Sequence, residues 1–98
     1  MTIDEGARKL RKYCFEHKDC DLLTVTRSGS FRFWKTNYDT IRIESYHTKI
    51  AEYYFDRDIL VIAYPYKGIT PTTQRVIRAI CNAFGMTTRE WQKQYDRK

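Results

Sequence analysis

Ile3, Ala7, Leu10 and Cys14 recur at intervals of three and four, and Arg8, Lys9, Arg11 and Lys12 fill positions between them. A single apolar stripe on a charged segment is the signature of a helix resting on a core. Thr2 and Glu5 stand at capping-box spacing, where each side chain satisfies the other's free backbone N–H. A first helix is therefore expected from about residue 3 to 17, leaving through Lys18-Asp19-Cys20-Asp21.

From Leu22 the period becomes two. Leu22 to Arg27 and Phe31 to Thr36 read as strands joined by Ser28-Gly29-Ser30, a turn in which Gly29 can adopt positive φ. In the second strand Phe31 and Phe33 face one way, Arg32 and Trp34 the other. Asn37-Tyr38-Asp39 turns the chain into Thr40 to Tyr46, where Ile41 and Ile43 alternate with Arg42 and Glu44. After a bulge or bend at His47 comes Thr48 to Phe55, then the turn Asp56-Arg57-Asp58 and a last strand, Ile59 to Tyr64. That strand is apolar on both faces, which predicts a central position covered on both sides. Pro65 ends its ladder by removing a donor.

Helical spacing then returns. Ile69-Thr70-Pro71-Thr72-Thr73 opens a second helix, with Pro71 suited to its first turn. Val76, Ile77, Ile80, Ala83 and Phe84 form its stripe, and Gly85 is its stop. Thr87 and Glu90 repeat the capping box and start a short third helix carrying Trp91 and Tyr95. The expected fold is a single α+β domain over residues 1–98: an N-terminal helix, an antiparallel meander of four or five strands and two C-terminal helices. Its main core is expected to be Ile59, Val61, Ile62, Ile77, Ile80 and Phe84.

Of the 98 residues, 42% are hydrophobic and fifteen are aromatic, eight of them Tyr. That is enough to bury a core and excludes a disordered chain. The longest apolar run, Ile59 to Tyr64, is far short of the roughly 20 residues a membrane span needs, so no membrane association is expected. The N-terminal Met1-Thr2-Ile3-Asp4-Glu5 carries acid where a signal peptide needs positive charge. Three cysteines, an odd number, read as reduced thiols. Both features point to a cytoplasmic protein.

Motifs for catalysis are sparse. Lys67-Gly68 precedes a helix, but the upstream glycine of a phosphate-binding loop is missing. His17 and His47 have no Ser or Cys nucleophile arranged around them. Cys14, His17 and Cys20 share a sector of a helix, yet the paired short spacings of a zinc site are absent and a fourth ligand would have to come from Cys81 or His47. Glu44, Asp39 and Glu52 each have a cation within a few positions and read as halves of surface pairs. No catalytic residue, metal or cofactor is expected. A small basic ribonuclease, working through Arg, Lys, Tyr and His alone, is the enzymatic alternative.

Charge changes the picture more. The chain carries eighteen basic and twelve acidic residues, net +6. Residues 1–21 are balanced, whereas residues 67–98 hold seven basic residues against Glu90 and Asp96. Arg75, Arg78 and Asn82 project from one side of the second helix. Lys67, Thr70, Thr72 and Thr73 surround its N-terminus, whose free N–H groups favour an anion. The third helix adds Arg89, Lys93, Arg97 and Lys98. Arg75 and Arg78, with Lys67 and Arg89 as secondary contributors, are therefore the expected partner-binding residues. A second candidate is a sheet face on which Arg32, Trp34, Arg42, Tyr46 and Tyr53 converge, mixing cations for phosphates with rings for bases. Ordinary cross-strand pairing accounts for the same residues equally well.

Ser45-Tyr46-His47-Thr48-Lys49-Ile50-Ala51, a hairpin, and Thr70-Pro71-Thr72-Thr73-Gln74-Arg75-Val76-Ile77 resemble small proteins of phages and mobile elements in Gram-positive bacteria. The resemblance covers residues 45–85 and implies no catalytic residues. What it implies is a binding function, including inhibition of host defence by anti-CRISPR-type proteins. The resulting expectation is a non-enzymatic inhibitor docking on a nucleic-acid-handling complex, most concretely an RNA-guided nuclease. Direct binding of nucleic acid by a small regulator is the alternative.

Overall fold

The computed structural model describes residues 1–97. Helix α1 spans Ile3–Glu16, and the reciprocal Thr2–Glu5 capping box is formed at its start. Its C-terminus closes on His17 in the left-handed conformation, φ 51°. Strands β1 (Leu23–Thr24), β2 (Arg32–Lys35), β3 (Thr40–Ser45), β4 (Thr48–Tyr54) and β5 (Ile59–Ile62) follow, then α2 (Pro71–Phe84) and α3 (Thr88–Asp96). The strands form one antiparallel sheet in the order β1-β2-β3-β4-β5. This is the α+β meander that the periodicities predict.

Two expectations about strands are corrected. Leu22 to Arg27 contributes only Leu23 and Thr24 to the ladder, because the chain turns away to bury Val25 against α1. Gly6 makes that approach feasible: a Cβ there would lie 2.5 Å from a Val25 methyl. Ile59 to Tyr64 is not central but an edge strand of four residues. Its second apolar face arises because Ile59 and Val61 sit on the open side of the sheet. Ile59 is 41% exposed, whereas Ile62 is buried in the core.

The bend expected at His47 is a two-residue hairpin turn, with Tyr46 and His47 both at positive φ between the paired Ser45 and Thr48. The irregularity lies further on. Ile43 pairs with Ala51 and Glu44 with Lys49, so Ile50 is the extra residue of a β-bulge. Ile50 and Ala51 are consequently buried side by side.

One face of the sheet is covered by α1 and α2, which pack on each other and on Phe33, Ile41, Ile43, Ala51 and Tyr53. The Tyr13 ring lies 6.3 Å from Phe33, and Phe15 lies 6.5 Å from Tyr53 and 5.9 Å from Phe84. Of the expected core, Ile62, Ile77 and Ile80 are buried. Val61 and Phe84 are half-buried. Phe31, Phe33, Ile41, Ile43 and Trp91 supply the bulk that this expectation omitted. Helix α3 abuts α2 and β5, anchored by Trp91, which is fully buried and donates its indole N–H to the Tyr64 carbonyl at 2.8 Å.

Candidate docking surface

The face of the sheet away from the helices carries Arg32, Trp34, Arg42, Glu44 and Glu52, as strand alternation requires. Arg32 lies opposite Glu44, and Trp34 opposite Arg42. Both arginines converge on one carboxylate: Arg32 donates through Nε and Nη2 to Glu44 Oε1 at 3.0 and 2.9 Å, and Arg42 Nε donates to Oε2 at 2.8 Å. Burial pushes the Glu44 carboxyl up, but the hydrogen bonds from Arg42 and Arg32 outweigh it and hold it below the ordinary carboxylate range. Glu52 is treated alike. Burial raises it, while the hydroxyl of Thr40 and the ammonium of Lys49 bring it down further.

Arg32 Nη2 also lies 2.9 Å from His47 Nδ1. A guanidinium only donates, so Nδ1 is the acceptor in this contact. The Arg32 guanidinium lies 5.5 Å from the centre of the Trp34 ring, a cation–π arrangement. Tyr46 stands at the hairpin tip, 47% exposed, off this face. Tyr53 is a correction. It pairs with Ile41 and so points into the core, 2% exposed, with its hydroxyl donating to Asp58 at 3.0 Å. Three of the five expected residues therefore share the face, and both of its arginines are ion-paired to Glu44 of the same sheet.

The C-terminal end differs. Arg75 and Arg78 are exposed on α2, and Lys67 and Arg89 are exposed on the preceding loop and on α3. No ion pair is formed by Lys67, Arg75, Arg78, Arg89 or Lys93 among the described residues. Three of the four expected residues meet around one side chain that the sequence did not single out, Tyr66. Arg78 Nη1 donates to the Tyr66 hydroxyl at 3.2 Å. Tyr66 also lines a groove of about 470 Å³ with Lys67, Arg89, Gln92, Lys93 and Asp96. Arg75 lies one turn from Arg78 along α2, outside that groove. Lys98 lies outside the described residues.

This loop is held rather than loose. Gln92 Oε1 accepts from the backbone N–H groups of Tyr66 and Lys67 at 2.9 and 3.0 Å, and Gln74 Nε2 donates to the Tyr66 carbonyl at 3.0 Å. Lys67 is thus presented from a fixed backbone. Only the position of Tyr66, two residues before Gly68 and four before the N-cap Thr70, was visible in the sequence. The partner Gln92 is 26 residues away.

Helix α2 begins as expected, with Thr70 as N-cap and Thr73 accepting or donating to Ser45 Oγ at 3.0 Å. Thr70 and Thr73 are therefore capping and cross-linking groups. Helix α1 also carries cations without ion pairs among the described residues, Arg8, Arg11 and Lys12. They share their groove with Asp4 and Glu16, and Arg11 rests 4.8 Å from the centre of the Phe15 ring.

Among the described residues no three His, Cys, Asp or Glu side chains converge as a metal site. Cys14 is buried in the core, and His17 turns away to Asp58, with Nε2 and Oδ1 2.6 Å apart. Burial pushes the Cys81 thiol up to about 12 and raises Cys14 and Cys20 as well. None of the three is a poised nucleophile. No helix among the described residues is long and apolar enough to cross a membrane. Neither a family model, a curated protein nor a solved structure matches the chain.

Proposed function

We propose that the protein is a non-enzymatic, cytoplasmic binding protein that docks on an anionic component of a nucleic-acid-handling complex through Lys67, Arg75, Arg78 and Arg89. The observation that carries this reading is the contrast in pairing. The sheet cations are held by Glu44 and Glu52, whereas these four have no acidic partner among the described residues. Unpaired, exposed guanidinium groups retain their capacity for bidentate contact with phosphate or carboxylate. The buried, raised thiols and the ion-paired carboxylates favour binding over catalysis. An anti-CRISPR-type inhibitor of an RNA-guided nuclease is the concrete form of this reading, supported by the resemblance over residues 45–85.

Charge reversal tests it. Arg75→Glu with Arg78→Glu should abolish co-purification with an RNA-guided nuclease, or retention on immobilised nucleic acid, while Arg8→Glu with Arg11→Glu should retain either. Equal behaviour of the two double variants, with unchanged circular dichroism, would move the contact off this surface.

A further inference from the structure

The groove beside Tyr66 combines features that the two surfaces predicted from sequence held separately. Lys67 and Arg89 stand at its sides, Lys93 follows Arg89 by one turn of α3, and a half-buried tyrosine forms part of its wall. Arg78 approaches the same ring from α2 through the phenol oxygen. Asp96 is the single acid in the lining, and Gln92 Nε2 already donates to it at 2.9 Å. Cations around an aromatic wall, in a concavity with a pinned backbone, suit a flexible polyanion whose bases offer open faces.

Resting on the reading of an anionic partner, we propose that this groove takes single-stranded nucleic acid, with Tyr66 stacking a base and Lys67, Arg89 and Lys93 contacting its phosphates. A duplex has its bases stacked internally and offers no free face to Tyr66. Its phosphates would meet the rim cations alone. The groove therefore favours single strands over duplexes, and it does so without base-edge readout, because every base has a π-face. The sheet face lacks this capacity despite Trp34, since Arg32 and Arg42 are bound to Glu44.

The test is fluorescence anisotropy with two labelled probes, an unstructured thymidine oligonucleotide and a hairpin duplex with the same number of phosphates. Variants Tyr66→Leu, Lys67→Glu with Arg89→Glu, and Arg75→Glu with Arg78→Glu are compared, with folding checked by circular dichroism. The single strand should bind more tightly, and Tyr66→Leu should weaken it by about tenfold with little effect on the duplex, as expected for loss of one stacked base. Lys67→Glu with Arg89→Glu should weaken both probes. Equal binding of both probes with Tyr66→Leu silent, and only the arginine variants impaired, would overturn the groove assignment and leave the anionic-partner reading standing. Retention of polyglutamate in place of either oligonucleotide would also overturn the groove assignment, and would turn that reading toward acidic protein. No affinity for any of these probes or for a nuclease complex would overturn both.

Discussion

The outer face of the sheet and the C-terminal end are both rich in arginine, yet they put it to opposite uses. On the sheet, Arg32 and Arg42 close on Glu44 from the same strand and its neighbour, so positive charge serves cross-strand pairing. Around Tyr66 the cations come from a loop and two helices, and the acids nearest in sequence, Glu90 and Asp96, hold neutral partners instead of these cations. Glu90 caps α3 through Thr87, and Asp96 accepts from Gln92. Composition alone does not distinguish the two regions. The availability of each cation does, and it is set by what the backbone places opposite it.

The comparison is broken most severely by removing what holds the C-terminal end together. Trp91→Ala should cost about 3–5 kcal/mol in chemical denaturation, because it empties a fully buried site and leaves the Tyr64 carbonyl without its donor. Ile80→Ala, under both regions, should cost about 2–5 kcal/mol. A change within noise at Ile80 would show that α2 is peripheral to the core.

Glu44→Gln comes next. It removes the negative charge and turns one of the two accepting oxygens into a donor facing a guanidinium, and loss of charge-assisted hydrogen bonds of this kind supports a cost of about 2 kcal/mol. The pH dependence sharpens the point. Glu44 and Glu52 are held below their ordinary range in the folded protein, so their stabilisation is complete above the unfolded carboxylate value of about 4.3 and is lost as pH falls through the folded values. The denaturation midpoints of the wild type and of Glu44→Gln should therefore differ at pH 7, begin to approach one another near the unfolded value of about 4.3, and converge as pH falls through the depressed folded value. Parallel curves would show that Glu44 is not the acid-labile group. The smallest effect belongs to Arg75→Glu with Arg78→Glu. Neither residue has an ion-pair partner to lose among the described residues, so stability should stay within about 0.5 kcal/mol of wild type.

Much of the fold was legible because its signals are local. Both capping boxes, the Thr70 start and Gly85 end of α2, and the alternation of β3 depend on residues a few positions apart. The errors came where a distant contact overrides a local pattern. The apolar run at Ile59 resembles a central strand, yet chain order puts it at the sheet edge with Ile59 exposed. Tyr53 was placed with the outer arginines, but the bulge at Ile50 and pairing with Ile41 set it in the core. At the candidate site, exposure of Arg75 and Arg78 followed from the helical stripe. Tyr66 and its Gln92 anchor did not, since nothing within a helix turn of Tyr66 announces a hydrogen bond to α3.

On the proposed reading the C-terminal cations that lack an acidic partner among the described residues, and not the ion-paired sheet cations, bind the partner. The most direct measurement is the slope of log affinity against log salt for a single-stranded oligonucleotide, which counts phosphates neutralised. Substituting Lys67 and Arg89 by Gln should make that slope shallower by about 0.7 for each phosphate no longer neutralised, while substituting Arg32 and Arg42 by Gln should leave it unchanged. A slope that falls for the sheet pair and holds for the C-terminal pair would contradict the account.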